Sequence, residues 1–395
     1  KKINVVAISA KNINKKRRFQ INKKIFFRNP LQILNKKKID ILFEVIGFSD
    51  GISKKIVEQS LKKKIHVITP NKSLIAKHGD YLSKIAEKNK VNLEFEASVA
   101  GGIPILRSIK EGLATNRFTK IVGILNGTCN YILSEMEKSK QSFSKVLKKA
   151  QYLGYAEPGN PKLDLNGYDA LSKVRILSSL AFNKKISKEK VLMEGIENLD
   201  IKDIALAKQL NLRIKLLGIT ELINNKLFER VHPCLVGEET YLGNINGVMN
   251  AVILNSKPVG ETVLQGEGAG PGPTSSALMS DLLSILRGNI KYPFGISERK
   301  RKKIEIYKSD KYINSLYLRF EVKDKPGVLS EITNTLAKNK ISVKRIIQTP
   351  DKASNTATIV IITHKTNEIN SKKCLKFLNK NKNIVKKPIL IRLFN

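Results

Sequence analysis

The sequence predicts an α/β chain in three parts, and three observations carry that reading. Over the first hundred residues, short apolar runs alternate with amphipathic segments. From Gly101 to about Gly260 apolar helices mix with strand-like runs in an α+β pattern. From residue 315 the chain reads strand, tight turn, helix, strand and a further strand. This alternation is the signature of layered α/β architecture, in which each element buries one face.

In the first part the strand candidates are "INVVAIS" (3–9), "IDILFEVI" (39–46), "IHVIT" (65–69) and "NLEFEASV" (92–99). Between the second and third lies "SKKIVEQSLKKK" (53–64), whose Ile56, Val57 and Leu61 share one helical face; "SLIAKHGDYLSKIAEK" (73–88) follows the third. Strand, crossover helix and parallel strand repeat in the right-handed manner, giving half of a doubly wound, Rossmann-like dinucleotide-binding fold. Such folds carry G-x-G-x-x-G after their first strand, where backbone amides meet a pyrophosphate. No such loop precedes residue 53. The simplest expectation makes residues 3–9 the second strand and places the first strand, glycine loop and first helix ahead of residue 1. The predicted domains are 1–100, N-terminally incomplete and completed by about 264–296; 101–263; and 312–395. "LQGEGAGPGPTSSALMSDLLSIL" (264–286) reads as glycines before an amphipathic helix started by Ser or Thr.

Composition narrows the classes. The chain has 395 residues, 41 % apolar, enough for several cores. No apolar run approaches the roughly 18 residues a membrane span needs, so a membrane role is not expected. The 72 basic and 34 acidic residues leave a net charge of +38, which raises nucleic acid as a partner. The lysines, however, are scattered through every segment with no aromatic interleaving and no nucleic-acid-reading motif, so biased composition is preferred and no nucleic-acid partner is expected. Cys129, Cys234 and Cys374 lack metal-like spacing and suit reduced thiols in a reducing, cytoplasmic compartment.

The stretch "YLGYAEPGNPKLDLNGYDALSKVRILSSL" (152–180) gathers Glu157, Asp164 and Asp169 ahead of Lys173. Asn166 reads as an N-cap with Asp169 at the third helical position, and Lys173 stands one turn further on the same face. An ordinary helix ion pair has this spacing. Ala170, Leu171, Val174, Ile176 and Leu177 surround the pair, so the same residues also suit a partly buried lysine, whose charged form burial disfavours, placed for proton transfer.

Five blocks in order, "ITPNKSLIAKHGDYL" (68–82), "FEASVAGGIPILRSIKEGL" (95–113), "GILNGTCNYILSEM" (123–136), "LGYAEPGNPKLDLNGYDALSKVRILSSLAF" (153–182) and "GEGAGPGPTSSALMSDLL" (266–283), resemble the homoserine dehydrogenases. The last 80 or so residues resemble an ACT domain, a ferredoxin-like βαββαβ regulatory module. The resemblance implies NAD(P)-dependent interconversion of L-aspartate 4-semialdehyde and L-homoserine, in threonine and methionine biosynthesis. The alternative is a cofactor-less pseudoenzyme that senses amino acids through its ACT domain.

Residue by residue, the resemblance makes Lys173 the catalytic proton donor and assigns Glu157 and Asp169 to substrate. Twelve positions separate those two carboxylates, one more than the resemblance implies, and the extra residue falls in "PGN". Lys72, Thr69, Gly47 and Gly268 are assigned to the cofactor; a solvated loop lysine is the plain alternative for Lys72. The resemblance further implies a monovalent cation such as sodium at Glu96 and the carbonyls of Val99, Gly101 and Ile103, although a tight strand-to-helix turn would demand the same glycines. Ser9, Ala10, Lys11 and residues 15–18 offer basic rather than acidic groups where the ribose would lie, favouring NADP over NAD. "VKDKPGVLSEI" (322–332) looks like the ACT ligand turn, with Asp324 and Gly327 ahead of a helix; threonine as effector and packing for dimerisation remain equal readings. Cys129 is read as a packing residue, since hydride transfer needs no nucleophile. A homodimer is implied by the resemblance.

Overall fold

The computed structural model describes residues 3–12, 14, 20–351 and 353–394. In the first unit three parallel strands, Ile41–Phe43, His66–Ile68 and Leu93–Glu94, lie side by side in chain order. Register is set by Ile41 opposite His66 and Val67 opposite Leu93. The crossover helices are Ile52–Lys62 and Lys72–Asn89, and Ile56, Val57 and Leu61 are buried as their helical spacing predicts.

Two strand expectations shorten. The segment 3–9 is a strand only over Ile8–Ser9, which pairs in parallel with Phe26–Phe27 as a separate two-stranded sheet. Ile3 and Val5 are exposed, and backbone without a neighbouring strand has nothing to ladder with. The stretch 92–99 is a strand only at Leu93–Glu94, because Glu96–Ser98 turns into a 3-10 helix. Residues 15–18, on which the reading of NADP preference partly stands, lie outside the described residues.

The second unit is an antiparallel sheet ordered Gly260–Glu267, Met249–Lys257, Arg117–Ile124, Leu212–Ile223, Lys226–Gly237. The helices Gly127–Ser139 and Tyr168–Ala181 pack on it and share its core. Helix Pro271–Leu286 then returns to the first unit, where Leu282 and Ile285 bury against Ile68. This helix starts on Gly270, at φ +114°, with Pro271 at its first position. The expected Ser/Thr cap is not used: proline already supplies helical φ and lacks an amide that needs capping.

The third unit runs Leu316–Lys323, helix Val328–Lys338, Val343–Asp351, Thr356–Thr363, helix Glu368–Leu378 and Ile389–Leu393, a βαββαβ chain around Phe320, Ile332, Leu336 and Ile359. Its last strand pairs in parallel with Lys226–Gly237, through Arg392 opposite Cys234 and Leu393 opposite Leu235. One ten-stranded sheet therefore spans the second and third units. Among the described residues no helix is long and apolar enough to cross a membrane.

Candidate active site

A cleft of ≈ 580 Å³ opens at the carboxyl end of the parallel strands, between them and the helical face of the second unit, on the side where open α/β sheets bind ligands. Pro70 and Lys72 line it from the first unit, and Ser98 and Ala100 from the turn after the last parallel strand. Asn126, Asp164, Asp169 and Lys173 come from the second unit, and Gly268 through Pro271 from the returning segment.

Helix Tyr168–Ala181 carries the central pair. It begins one residue later than Asn166 as cap would place it: Gly167, at φ +89°, occupies the cap and donates no side chain. The Asn166 carboxamide still accepts the Tyr168 amide at 3.1 Å. Asp169 is thus not half of a capping box, and its carboxylate turns to cations. Oδ2 lies 2.8 Å from Lys173 Nζ and Oδ1 lies 2.9 Å from Lys72 Nζ. Asn126 Nδ2 donates to Asp169 Oδ2 at 2.9 Å and to Asp164 Oδ1 at 2.8 Å, while its Oδ1 caps helix Gly127–Ser139 through the Cys129 amide. Lys173 is 7 % exposed and also donates to the Leu125 carbonyl at 2.5 Å. An ammonium has three donors. Two are taken, and the third remains for a group in the cleft.

Electrostatics follow from this wiring. Burial pushes the Asp169 carboxyl up, but Lys173 and Lys72 outweigh it and hold the group well below the usual carboxylate range. Asp164 moves the other way, raised by burial and by the charge of Asp169. Lys72 is the first residue of helix Lys72–Asn89, at the positive end of the dipole, where a cation is disfavoured. The charge of Asp169, against the opposing effect of burial, raises its ammonium all the same. Lys72 is thus tied at the cleft wall to a buried acid, with part of its side chain still open to solvent.

The other sequence-predicted residues divide. Gly268 lines the cleft, and a Cβ there would sit 2.1 Å from Asn250. Gly101, at φ +44°, admits no Cβ because the Gly268 carbonyl lies 2.5 Å from that position. The two glycine stretches pack against each other, which explains both. Gly47, at φ +87° with open space where a Cβ would sit, lies within the loop between the first of the three parallel strands and helix Ile52–Lys62 and does not line the cleft. Thr69 is fully buried and does not line the cleft; its hydroxyl donates to Glu44 Oε2 at 2.7 Å. Glu157 sits on an exposed turn and does not line the cleft, although its charge helps raise Lys72.

Glu96 is buried, and its two oxygens accept the Leu106 amide at 2.8 Å and the Arg107 amide at 2.9 Å. The Ile103 carbonyl accepts the Ile105 amide at 2.7 Å. A cation would share these oxygens with hydrogen bonds already made, so its fit rests chiefly on the carbonyls of Val99 and Gly101. Cys129 is buried within its helix, which pushes the thiol far up, and its sulfur donates to the Asp164 carbonyl at 3.3 Å. That is a packing residue.

Three residues of the site's wiring were not assigned a role from sequence. Asp164 stood among the gathered carboxylates without a role, and its place beside Asn126 gives it one. Asn126 itself is visible only as a helix cap. Glu44, 1 % exposed, accepts the amides of Ile46 at 2.9 Å and Gly47 at 3.2 Å, which fixes the loop bordering the cofactor side. The residues present fit the nicotinamide end of a dinucleotide: an open glycine turn held by Glu44 and a lysine at the strand ends. G-x-G-x-x-G does not occur in the first unit.

Comparison with known proteins decides the family. The family model "Homoserine dehydrogenase, NAD binding domain" matches residues 1–96, "Homoserine dehydrogenase" matches 104–283, and "ACT domain" matches 316–380. The homoserine dehydrogenase of Neisseria gonorrhoeae is 40 % identical over 93 % of this chain and 86 % of its own length. That of Bacillus subtilis is 36 % identical over 95 % and 87 %. The chain belongs to the homoserine dehydrogenase family. A crystal structure of a homoserine dehydrogenase from Thiobacillus denitrificans is similar across 94 % of this chain and 86 % of that one, with a TM-score of 0.86 and 36 % identity. As a member of this family the chain is an oxidoreductase with a nicotinamide-binding unit and a C-terminal ACT domain. Matches across both catalytic units, not the ACT unit alone, disfavour the sensor-only reading.

Proposed function

We propose that the cleft interconverts L-aspartate 4-semialdehyde and L-homoserine, with Lys173 delivering the proton to the substrate oxygen during aldehyde reduction and removing it in reverse. The observation that carries this is the Lys173 ammonium: buried at the cleft wall, fixed by Asp169 and the Leu125 carbonyl, with one donor left over. A donor held by two partners pays little reorganisation when a substrate oxygen arrives, and such positioned proton transfer is worth roughly 10²–10⁴ in rate. When bound, the nicotinamide supplies or accepts the hydride. Asp169 orients Lys173 and, with Asp164, receives the substrate's polar end; Glu157 acts from the rim. Lys72, Gly47 and Gly268 border the nicotinamide, while Thr69 acts from beneath through Glu44.

The same reading extends to matters the family leaves open. Residues 1–100 with about 264–296 serve the cofactor, 101–263 the substrate and dimerisation, and 312–395 regulation. The basic Lys11 supports NADP over NAD. A monovalent cation at the carbonyls of Val99, Gly101 and Ile103, beside Glu96, would stiffen the turn without entering the chemistry. Threonine at the turn of Asp324 and Gly327, a homodimer, and a cytoplasmic setting complete the proposal. The test is homoserine-dependent reduction of NADP and of NAD by the purified protein. Faster reduction of NADP is expected; a folded protein that reduces neither yet binds threonine would return the sensor reading.

A further inference from the structure

Three buried arginines stand near the seam between the second and third units, and one of them has no ion-pair partner among the described residues. Arg319 is held by Asp203, with Nε 2.5 Å from Oδ1, and by Glu321 at 2.8 Å. Arg392 is paired with Glu194 and Glu368. Burial pushes both guanidiniums down, but their acid partners outweigh it and raise them. Arg230, 3 % exposed, forms no ion pair among the described residues; burial pushes it down, and neighbouring charges, Glu368 among them, offset that only in part. Its guanidinium carbon lies 4.2 Å from the Tyr312 ring centre and 4.9 Å from that of Phe228, and it donates to Asn314 Oδ1 at 3.2 Å. Arg230 Nε and Asn314 Nδ2 are buried donors with no hydrogen-bond partner.

These groups border a cavity of ≈ 140 Å³, which Lys120 and Lys365 also line. Among the described residues, every charged side chain lining it is a cation. We propose that this cavity binds a small oxyanion, which would pair with Arg230 and accept from the unpartnered Asn314 amide. An unpaired buried charge is costly, and a planar or tetrahedral oxyanion matches the guanidinium fork. A free amino acid fits poorly, because among the described residues no carboxylate lines the cavity to receive its ammonium. The site is therefore distinct in chemistry from the amino-acid turn at Asp324.

Position gives the site a consequence. Arg230 belongs to the second unit's strand Lys226–Gly237, Asn314 to the segment entering the ACT unit, and Phe394 follows the last ACT strand. The neighbouring parallel pairing of Arg392 with Cys234 joins the two sheets. An oxyanion bridging these segments tightens the docking of the ACT unit on the catalytic unit.

Thermal melting of the full chain in sodium phosphate, sodium malonate and sodium chloride at matched ionic strength tests this. Phosphate or malonate should raise the midpoint saturably, by about 2–4 °C, as expected for a ligand that binds only the folded state. Whichever of the two acts identifies the source as phosphate or carboxylate. The saturable part should vanish in Arg230→Gln and shift to at least about fivefold higher concentration in Lys365→Ala, an exposed position that keeps the fold if Arg230→Gln does not. A midpoint that follows ionic strength alone, an unchanged saturable response in Lys365→Ala, or free threonine displacing phosphate from this cavity would each overturn the proposal.

Discussion

Asp169 and Asp203 are both buried carboxylates gripped by cations, yet they sit in opposite settings. Asp203 is 0 % exposed and meets the rigid fork of Arg319 at 2.5 and 3.0 Å, with the Tyr317 hydroxyl donating at 3.3 Å and the Asp200 amide at 3.0 Å. It lines neither the cleft nor the cavity described above. Asp169 instead holds two lysines, each through one oxygen, at the wall of a cleft. Planar bidentate pairing suits a fixed structural joint, whereas lysines are point donors that re-aim readily and can give up a proton. The difference teaches that a buried ion pair becomes chemical when its cation keeps a free donor and access to a ligand.

Substitutions separate the two clusters. The largest effect should come from Lys173→Ala, with turnover falling about 10²–10⁴-fold while cofactor affinity, measured by fluorescence titration, changes little. Asp203→Asn should cost about 3–5 kcal/mol of stability by leaving Arg319 buried with a weakened partner. Its turnover per folded molecule should stay near normal, and denaturant titration beside initial rates reads both. A comparable loss of turnover in the two variants would erase the distinction drawn between them.

A smaller effect concerns Asp281, whose carboxyl burial pushes up to about 7. It accepts the Glu96 amide at 3.0 Å beside the turn that borders the cleft. The unfolded group titrates near its ordinary value of 3.8, so between these two values the folded state holds the extra proton. Its contribution to stability is then fullest below about pH 4 and declines as pH rises towards 7. Asp281→Asn should flatten that decline, seen as a smaller drop in melting temperature between pH 5 and pH 8. Smallest of all, Glu157→Gln should raise the Michaelis constant for homoserine only severalfold, because the residue lies on an exposed turn outside the cleft lining.

Local pattern made much of this legible. The first four elements of the βαββαβ unit follow from local strand, turn and helix patterns, its last helix and strand from the ACT resemblance, and Asp169 with Lys173 follows from one turn of helix. Lys72 stood out through its place just after a strand and through the family resemblance, but its contact with Asp169 had no local signal, since it joins two units far apart in sequence. Thr69 shows the limit of transfer by motif: the residue type matches, but the side chain faces inward to Glu44. The helix start moved from Asn166 to Gly167 because left-handed backbone there outcompetes an asparagine cap. Residues 3–7 carry strand composition, yet a strand exists only where a neighbour supplies hydrogen bonds. The sheet joined through Arg392 and Cys234 had no local signal, because pairing between distant strands is a property of tertiary packing.

Chemical rescue of Lys173→Ala probes the central claim most directly. Small primary amines diffusing into the ≈ 580 Å³ cleft should restore part of the lost homoserine oxidation, with rates that rise with amine concentration and follow amine basicity. Turnover close to wild type in Lys173→Ala, unaffected by added amines, would contradict the account and leave Lys173 as only the helix partner of Asp169.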